Sequence, residues 1–290
     1  MRAFRNCSAA LGRVFQLEAL MAGLFIAIAH PCASEPNIAV AQPPAIDSSY
    51  FKIAFDPIGD TTVATLGVAG ILTSRLMLES IDFNGRYPGT LDSAPFIDRI
   101  TAQPYSVKID SSSDIVQYAA MAAPYAASLF MDHDEALASW LLTAETQILA
   151  FASKDGLKTI VQRPRPYNFF SSAPSELLAD KDRYLSFPSG HAAMAFASSS
   201  LATVYAIRLI KNETARFAVI GASNGLALTT AILRVYAGAH FLTDVIAGSL
   251  LGACIGTVNG LLHIREREDA NLVIAATNAG ATLRLSLSLP

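Results

Sequence analysis

Three short segments of this chain carry side chains suited to handling an anionic phosphoryl group. The first runs from Lys158 to Pro166, Lys-Thr-Ile-Val-Gln-Arg-Pro-Arg-Pro. Pro164 and Pro166 hold the backbone extended, so Arg165 is presented from a stiff exit at the end of a helical stretch. A guanidinium grips two phosphate oxygens at once, and the Lys158 ammonium adds a point charge. Taken alone, such a cluster fits a basic helix end beside a membrane equally well.

The second segment is Phe187-Pro188-Ser189-Gly190-His191, followed by Ala192-Ala193-Met194-Ala195. Gly190 permits a tight turn into a helix whose first N–H groups form a ready anion site. The Ser189 hydroxyl adds a donor, and His191 stands where a proton could be delivered. A helix cap with an ordinary histidine is the plainer alternative. The third segment runs from Arg234 to Asp244, with His240 and Asp244 four residues apart on one helix face. A carboxylate so placed binds the imidazole N–H, fixes the tautomer and leaves the other nitrogen free to attack. The same spacing serves a structural hydrogen bond or half of a metal site. No third or fourth ligand at suitable spacing accompanies it, so the metal reading is poor.

In this order the three segments resemble the signature of the type 2 phosphatidic acid phosphatase superfamily, which includes bacterial class A acid phosphatases and vanadium haloperoxidases. The matching positions are Lys158, Arg165 and Pro166, then Pro188 through His191, then Arg234, His240 and Asp244. One departure occurs: Leu233 stands where the pattern has Ser, which removes a hydroxyl but no charge. The resemblance covers residues 115–262. It implies an all-α helical bundle and a phosphatase that needs neither cofactor nor metal. By that resemblance His240 attacks phosphorus, Asp244 orients and activates it, and His191 protonates the leaving oxygen. Lys158, Arg165, Ser189, Gly190 and Arg234 hold the phosphoryl oxygens. The expected substrate is a phosphate monoester or pyrophosphate, of a lipid if the bundle lies in a membrane. A soluble periplasmic acid phosphatase acting on small phosphomonoesters is the alternative. A vanadium haloperoxidase, usually larger than this chain, and a catalytically silent lipid-binding scaffold rank lower.

The elements that must position these residues read as helices. Apolar stretches cover Thr62–Leu78, Ile115–Met131, Ala136–Ser153, Ala192–Ile207, Phe217–Leu233 and Val245–Leu262. Gly and Pro mark residues 81–112 and 163–187 as loops. The alternation after Asn271, with an Asn-Ala-Gly turn, predicts a short C-terminal β-hairpin. The expected organisation is a signal peptide over 1–34, then an N-terminal extension with a first helix over 35–112. A catalytic helical core over 113–264 and a tail over 265–290 follow.

Only 16% of the 290 residues are charged and the mean hydropathy is +0.38, apolar for a soluble protein of this size. The formal charge of −3 and the lack of a long basic run give no sign of a nucleic-acid partner, and none is expected. Arg2, Arg5 and Arg13 ahead of the apolar Ala19–Ala29 read as an export signal, with an uncleaved membrane anchor as the alternative. Loss of the signal removes Cys7 and Cys32, leaving Cys254 unable to form an intramolecular disulfide. Helices rich in Ala, Gly and Ser suit close packing in lipid or in water, and the placement of charges favours a membrane bundle over a soluble periplasmic domain. Arg208, Lys211 and Arg216, and Arg265 and Arg267, lie at what would be the cytoplasmic ends, turning the three segments towards the periplasm from an inner membrane. The acidic turn Asp132–Glu135, without a positive residue of its own, fits that scheme poorly.

Overall fold

The computed structural model describes residues 51–266 and the backbone of 272–277 and 280–285. The segment read as an export signal lies outside the described residues. Strand β1 (Phe51–Ile53) leads into α1 (Pro57–Ser80), and the short α2 (Phe96–Thr101) precedes α3 (Val107–Ala127) and α4 (His133–Val161). A five-residue α5 (Ser175–Ala179) interrupts the next loop before α6 (Gly190–Leu209), α7 (Glu213–Tyr236) and α8 (Leu242–His263). Strand β2 (Ile264–Glu266) pairs antiparallel with β1, and β3 (Leu272–Thr277) with β4 (Gly280–Leu285) forms the expected hairpin. The fold is all-α apart from these short strands.

Local chemistry sets the helix ends. The Asp56 carboxylate accepts from the Ile58 N–H at 3.2 Å with Pro57 at the first position of α1, and Asn212 caps α7 through the Ala215 N–H at 2.9 Å. Helix α4 stops at Gln162, whose φ of 48° is left-handed; its side chain bonds back to the Thr159 carbonyl at 2.9 Å. That stop turns the chain into Arg163-Pro164-Arg165-Pro166. One sequence expectation fails here. Residues 107–112 belong to α3, not to a loop. Ser106 caps the helix, but Asp110, Ser113 and Asp114 face inward, so the first turns carry no apolar period.

Helix α6 lies at the centre, with sixteen of its twenty residues buried, against α8, α7, α3 and α4. Its contact with α8 rests on Gly248, Gly252, Gly256 and Gly260, one turn apart. A Cβ on Gly252 would lie 2.1 Å from the Ala193 carbonyl oxygen, and one on Gly248 2.4 Å from that of Ser189. Glycine at these positions lets the two backbones touch, as small residues do in membrane helix pairs.

The outer faces are apolar. Leu66, Leu72 and Leu76 on α1, Ile115 and Tyr118 on α3, Leu137 and Trp140 on α4, and Ile246, Leu250 and Leu262 on α8 are all exposed. Among the described residues, α1, α6, α7 and α8 are long and apolar enough to cross a membrane. The helices run between two ends. At one end β1 and β2 pair, and Ala54 N–H bonds the His263 carbonyl at 2.8 Å. The acidic turn at Asp132 lies at that end too, where Lys211 binds the Asp132 carboxylate at 2.7 Å and supplies the cation its own sequence lacks. The other end gathers the three chemical segments.

Candidate active site

Lys158 comes from the last turn of α4, and Arg165 from the proline-flanked exit. Ser189 and His191 come from the start of α6, Arg234 from the last turn of α7, and His240 and Asp244 from the turn into α8. That turn depends on Gly238, whose φ of +68° is left-handed and whose missing Cβ would lie 2.4 Å from the Gln103 carbonyl oxygen.

His240 is 1% exposed, and its two ring nitrogens have opposite surroundings. Nδ1 lies 2.8 Å from the Ser186 carbonyl oxygen, which only accepts, so Nδ1 carries the proton. Nε2 lies 3.0 Å from Nη1 of Arg165, which only donates, so Nε2 offers its lone pair. Burial, then the Arg165, Arg234 and Lys158 cations, hold its pKa well below the ordinary 6.5, with Asp182 opposing. The result is a neutral imidazole with an unprotonated nitrogen turned towards cations.

Asp244 does not bind the ring directly, as its i+4 spacing led one to expect; its Oδ2 is 3.9 Å from Nδ1. The carboxylate instead caps α8, accepting from the Phe241 N–H at 2.9 Å, and takes the Ser186 hydroxyl at 2.5 Å and Nη1 of Arg163 at 2.5 Å. It therefore fixes the loop whose carbonyl holds Nδ1. Arg163 also binds Asp98 Oδ2 at 2.7 Å and lies over the Phe241 ring at 4.4 Å. Asp98, fully buried on α2, accepts from the Thr243 N–H at 2.9 Å and its hydroxyl at 2.6 Å.

Around Nε2 the cations form a partial cradle. Arg165 is 5% exposed and donates to the Ala239 carbonyl at 3.0 Å and the Asp182 carbonyl at 2.9 Å. The Asp182 carboxylate reaches it at 2.7 Å and stands 3.9 Å from the Lys158 ammonium. These cations pull the Asp182 pKa below the usual carboxylate range against the effect of burial. Arg234 binds Asp110 at 2.5 Å and the Ser113 hydroxyl at 2.8 Å, while its buried Nε–H has no partner among the described residues. Asp114 joins this group to His191: its Oδ1 is 2.6 Å from His191 Nε2 and 3.9 Å from Arg234.

Ser189 is buried at the start of α6, and its N–H donates to the Asp244 carbonyl at 2.9 Å, tying the second segment to the third. A Cβ on Gly190 would come within 2.9 Å of Lys154 Cδ, so glycine there admits a further lysine near the helix start. Lys154 is already held by Asp155 at 2.5 Å. All eight residues singled out from sequence thus belong to one end of the bundle. Sequence reading missed Arg163, Asp98, Ser186, Asp182, Asp110 and Asp114. Only Arg163 carried a visible signal, as the other arginine of Arg-Pro-Arg-Pro. The guanidinium cations around this ring nitrogen disfavour a metal ion there, so the arrangement suits an anion and a nucleophilic attack on it.

Residues 138–266 match the model of the PAP2 superfamily. A stretch of 108 residues is 32% identical to an undecaprenyl-diphosphatase of Sulfolobus acidocaldarius, over 37% of this chain and 47% of that protein. The chain therefore spans about half the length of that curated relative. A solved structure, the transmembrane PAP2-type phosphatidylglycerolphosphate phosphatase from Bacillus subtilis, aligns over 68% of this chain and 94% of its own with 18% identity and a TM-score of 0.44. The segment that matches the PAP2 superfamily model carries Lys158, Arg165, Ser189, His191, Arg234, His240 and Asp244.

Proposed function

We propose that this protein is a phosphoric ester hydrolase that removes phosphate from a lipid phosphate or pyrophosphate through a phosphohistidine on His240. The observation that carries the reading is the pair of contacts on one buried ring: Nδ1–H on the Ser186 carbonyl and Nε2 on Arg165. Nε2 attacks phosphorus and the bond to the leaving oxygen breaks, while His191 gives that oxygen its proton. Water, deprotonated by the same His191, then splits the phosphohistidine and releases phosphate. Lys158, Arg165 and Arg234, with the Ser189 hydroxyl and the Gly190 N–H, hold the equatorial oxygens, which is most of what phosphoryl transfer requires. The unpartnered Arg234 Nε–H is one donor free for this purpose among the described residues. Asp244 acts by positioning.

The exposed leucines and isoleucines on α1, α3, α4 and α8 favour a bundle within lipid over a soluble periplasmic domain. The undecaprenyl-diphosphatase relative supports a polyprenyl pyrophosphate as the first substrate to try. Positive residues at the β1–β2 end orient the site outwards, towards the periplasm in an inner membrane. Helix α1 runs the length of the bundle, so this orientation puts Pro57 and Arg265 on the same, cytoplasmic side.

The test is hydrolysis of a polyprenyl pyrophosphate and of a small phosphomonoester by detergent-purified protein, with and without vanadate. The expected result is faster release from the lipid, inhibition by vanadate, and a phosphoryl adduct on the peptide holding His240 after quenching at alkaline pH. Vanadate-insensitive turnover, or an adduct on another residue, removes the mechanism. Faster release from the small ester removes the lipid preference.

A further inference from the structure

At the opposite end of α8, about 30 Å from His240 by helix rise, a second histidine sits among carboxylates. His263, Asp60 and Glu145 come from α8, α1 and α4, and one ligand atom from each falls within 4.8 Å of the others. All three, with Asn259, line a cavity of about 530 Å³. His263 Nδ1 lies 2.9 Å from the Asn259 carbonyl oxygen, so it carries a proton. Nε2 then faces Asp60 Oδ1 at 3.0 Å and Glu145 Oε2 at 4.0 Å. Acceptors stand on both sides of that contact, so a cation or a proton must lie between them. Glu145 is 6% exposed, and its Oε1 accepts no hydrogen bond among the described residues. A buried carboxylate oxygen without a partner is costly, and a metal ion is one group that satisfies it.

We infer that Asp60, Glu145 and His263 bind a divalent transition-metal ion that ties α1, α4 and α8 together at the end remote from His240. One imidazole and two carboxylates favour Zn²⁺ or Mn²⁺ over the oxygen-only ligation of Mg²⁺ and Ca²⁺. The ring is held as metal-bound histidines are, with its other N–H donating to a backbone carbonyl. The backbone N–H of Asp56 donates to Asp60 Oδ2 at 2.8 Å, which orients the first carboxylate. If His263 is protonated beforehand, the metal takes the place of the Nε2 proton, which passes to solvent. The site is separate from the proposed chemistry, and the metal plays no part in phosphoryl transfer.

The experiment uses the full chain in detergent with any affinity tag removed. The protein is stripped with EDTA, loaded with Zn²⁺ or Mn²⁺, freed of excess by gel filtration and measured for metal by mass spectrometry. Wild type and His240→Ala are expected to keep about one ion per chain, while Glu145→Gln and Asp60→Asn lose at least about tenfold in affinity. Zn²⁺ should also raise the melting temperature of wild type and leave that of Glu145→Gln unchanged. Co²⁺ loading of wild type reads the ligands without any variant: d–d absorption without a thiolate band fits the trio, and a thiolate band would place the ion on Cys254, which lines the same cavity. Wild-type protein that keeps no ion, carboxylate variants that keep as much as wild type, or a thiolate band each overturn the inference.

Discussion

The two ends of α8 hold histidines built alike and surrounded oppositely. His240 and His263 each give the Nδ1 proton to a backbone carbonyl, of Ser186 at 2.8 Å and of Asn259 at 2.9 Å. Each thereby turns Nε2 towards a buried charged cluster. At His240 that cluster is cationic, and an electron-rich nitrogen among guanidinium groups awaits an anion. At His263 it is anionic, and the same nitrogen awaits a cation. The backbone anchor sets the tautomer, and the neighbouring charges set the chemistry.

The largest expected effect tests the first end. His240→Ala should lower turnover by roughly 10⁴-fold or more with the melting temperature little changed; a folded variant retaining substantial activity would show that the cationic surround, not the ring, performs the reaction. Asp98→Ala comes next, because among the described residues the Asp98 carboxylate accepts from Arg163 and from the N–H and hydroxyl of Thr243. Loss of that support should cost about 10²-fold in kcat with KM nearly constant. A change confined to KM would make Asp98 part of substrate binding.

The pH profile sharpens the contrast between the two rings. Unfolded histidine titrates near 6.5, whereas folded His240 is held well below that by burial and the Arg165, Arg234 and Lys158 cations. As pH falls below 6.5 the unfolded state takes up a proton that the folded ring refuses, so His240 contributes less and less to stability until its own folded pKa is reached. The proposed nucleophile stays neutral across the same window. The acid limb of kcat/KM should therefore begin below pH 6.5, where an unshifted histidine would already lose about tenfold per unit. A limb starting at 6.5 or higher would show that the cationic surround leaves His240 unshifted.

The smallest effect concerns Asp182, whose carboxylate sits between Arg165 and Lys158 as a substrate phosphate would. Asp182→Asn removes this competitor, while Arg165 keeps its bonds to two backbone carbonyls. The side chain is half exposed, so the gain is about 0.5–1 kcal/mol, seen as a KM lower by about 2–5-fold. An increase in KM would instead make Asp182 a support for Arg165.

Much of the candidate site is legible in the chain because each segment combines its own backbone device with its own charges. Pro164 and Pro166, Ser189-Gly190, and the i,i+4 pair His240 and Asp244 declare themselves locally. The supports do not. Asp98 reaches Thr243 across 145 residues and Ser186 reaches Asp244 across 58, so only the folded backbone brings them together. The first turns of α3 were hidden because Asp110, Ser113 and Asp114 face the site and erase the apolar period. The second cluster was invisible for the same reason on a larger scale. Asp60 and His263 are 203 residues apart. The i+4 rule also misled in detail: it found Asp244 but assigned it a contact with the ring that Ser186 makes instead.

The glycine ridge of α8 has a mechanical consequence. Carbonyls of α6 lie where a Cβ on Gly248, Gly252 or Gly256 would have to sit, so the two helices behave as one stiff beam. His191 opens one half of that beam and His240 stands at the start of the other, so the beam would keep the proposed donor and the proposed nucleophile in step through a turnover. Any breathing that admits a bulky substrate must then come from the other walls of the bundle. A single methyl group at Gly252, about three turns along α8 from His240, would act as a wedge, shifting one histidine against the other without touching either.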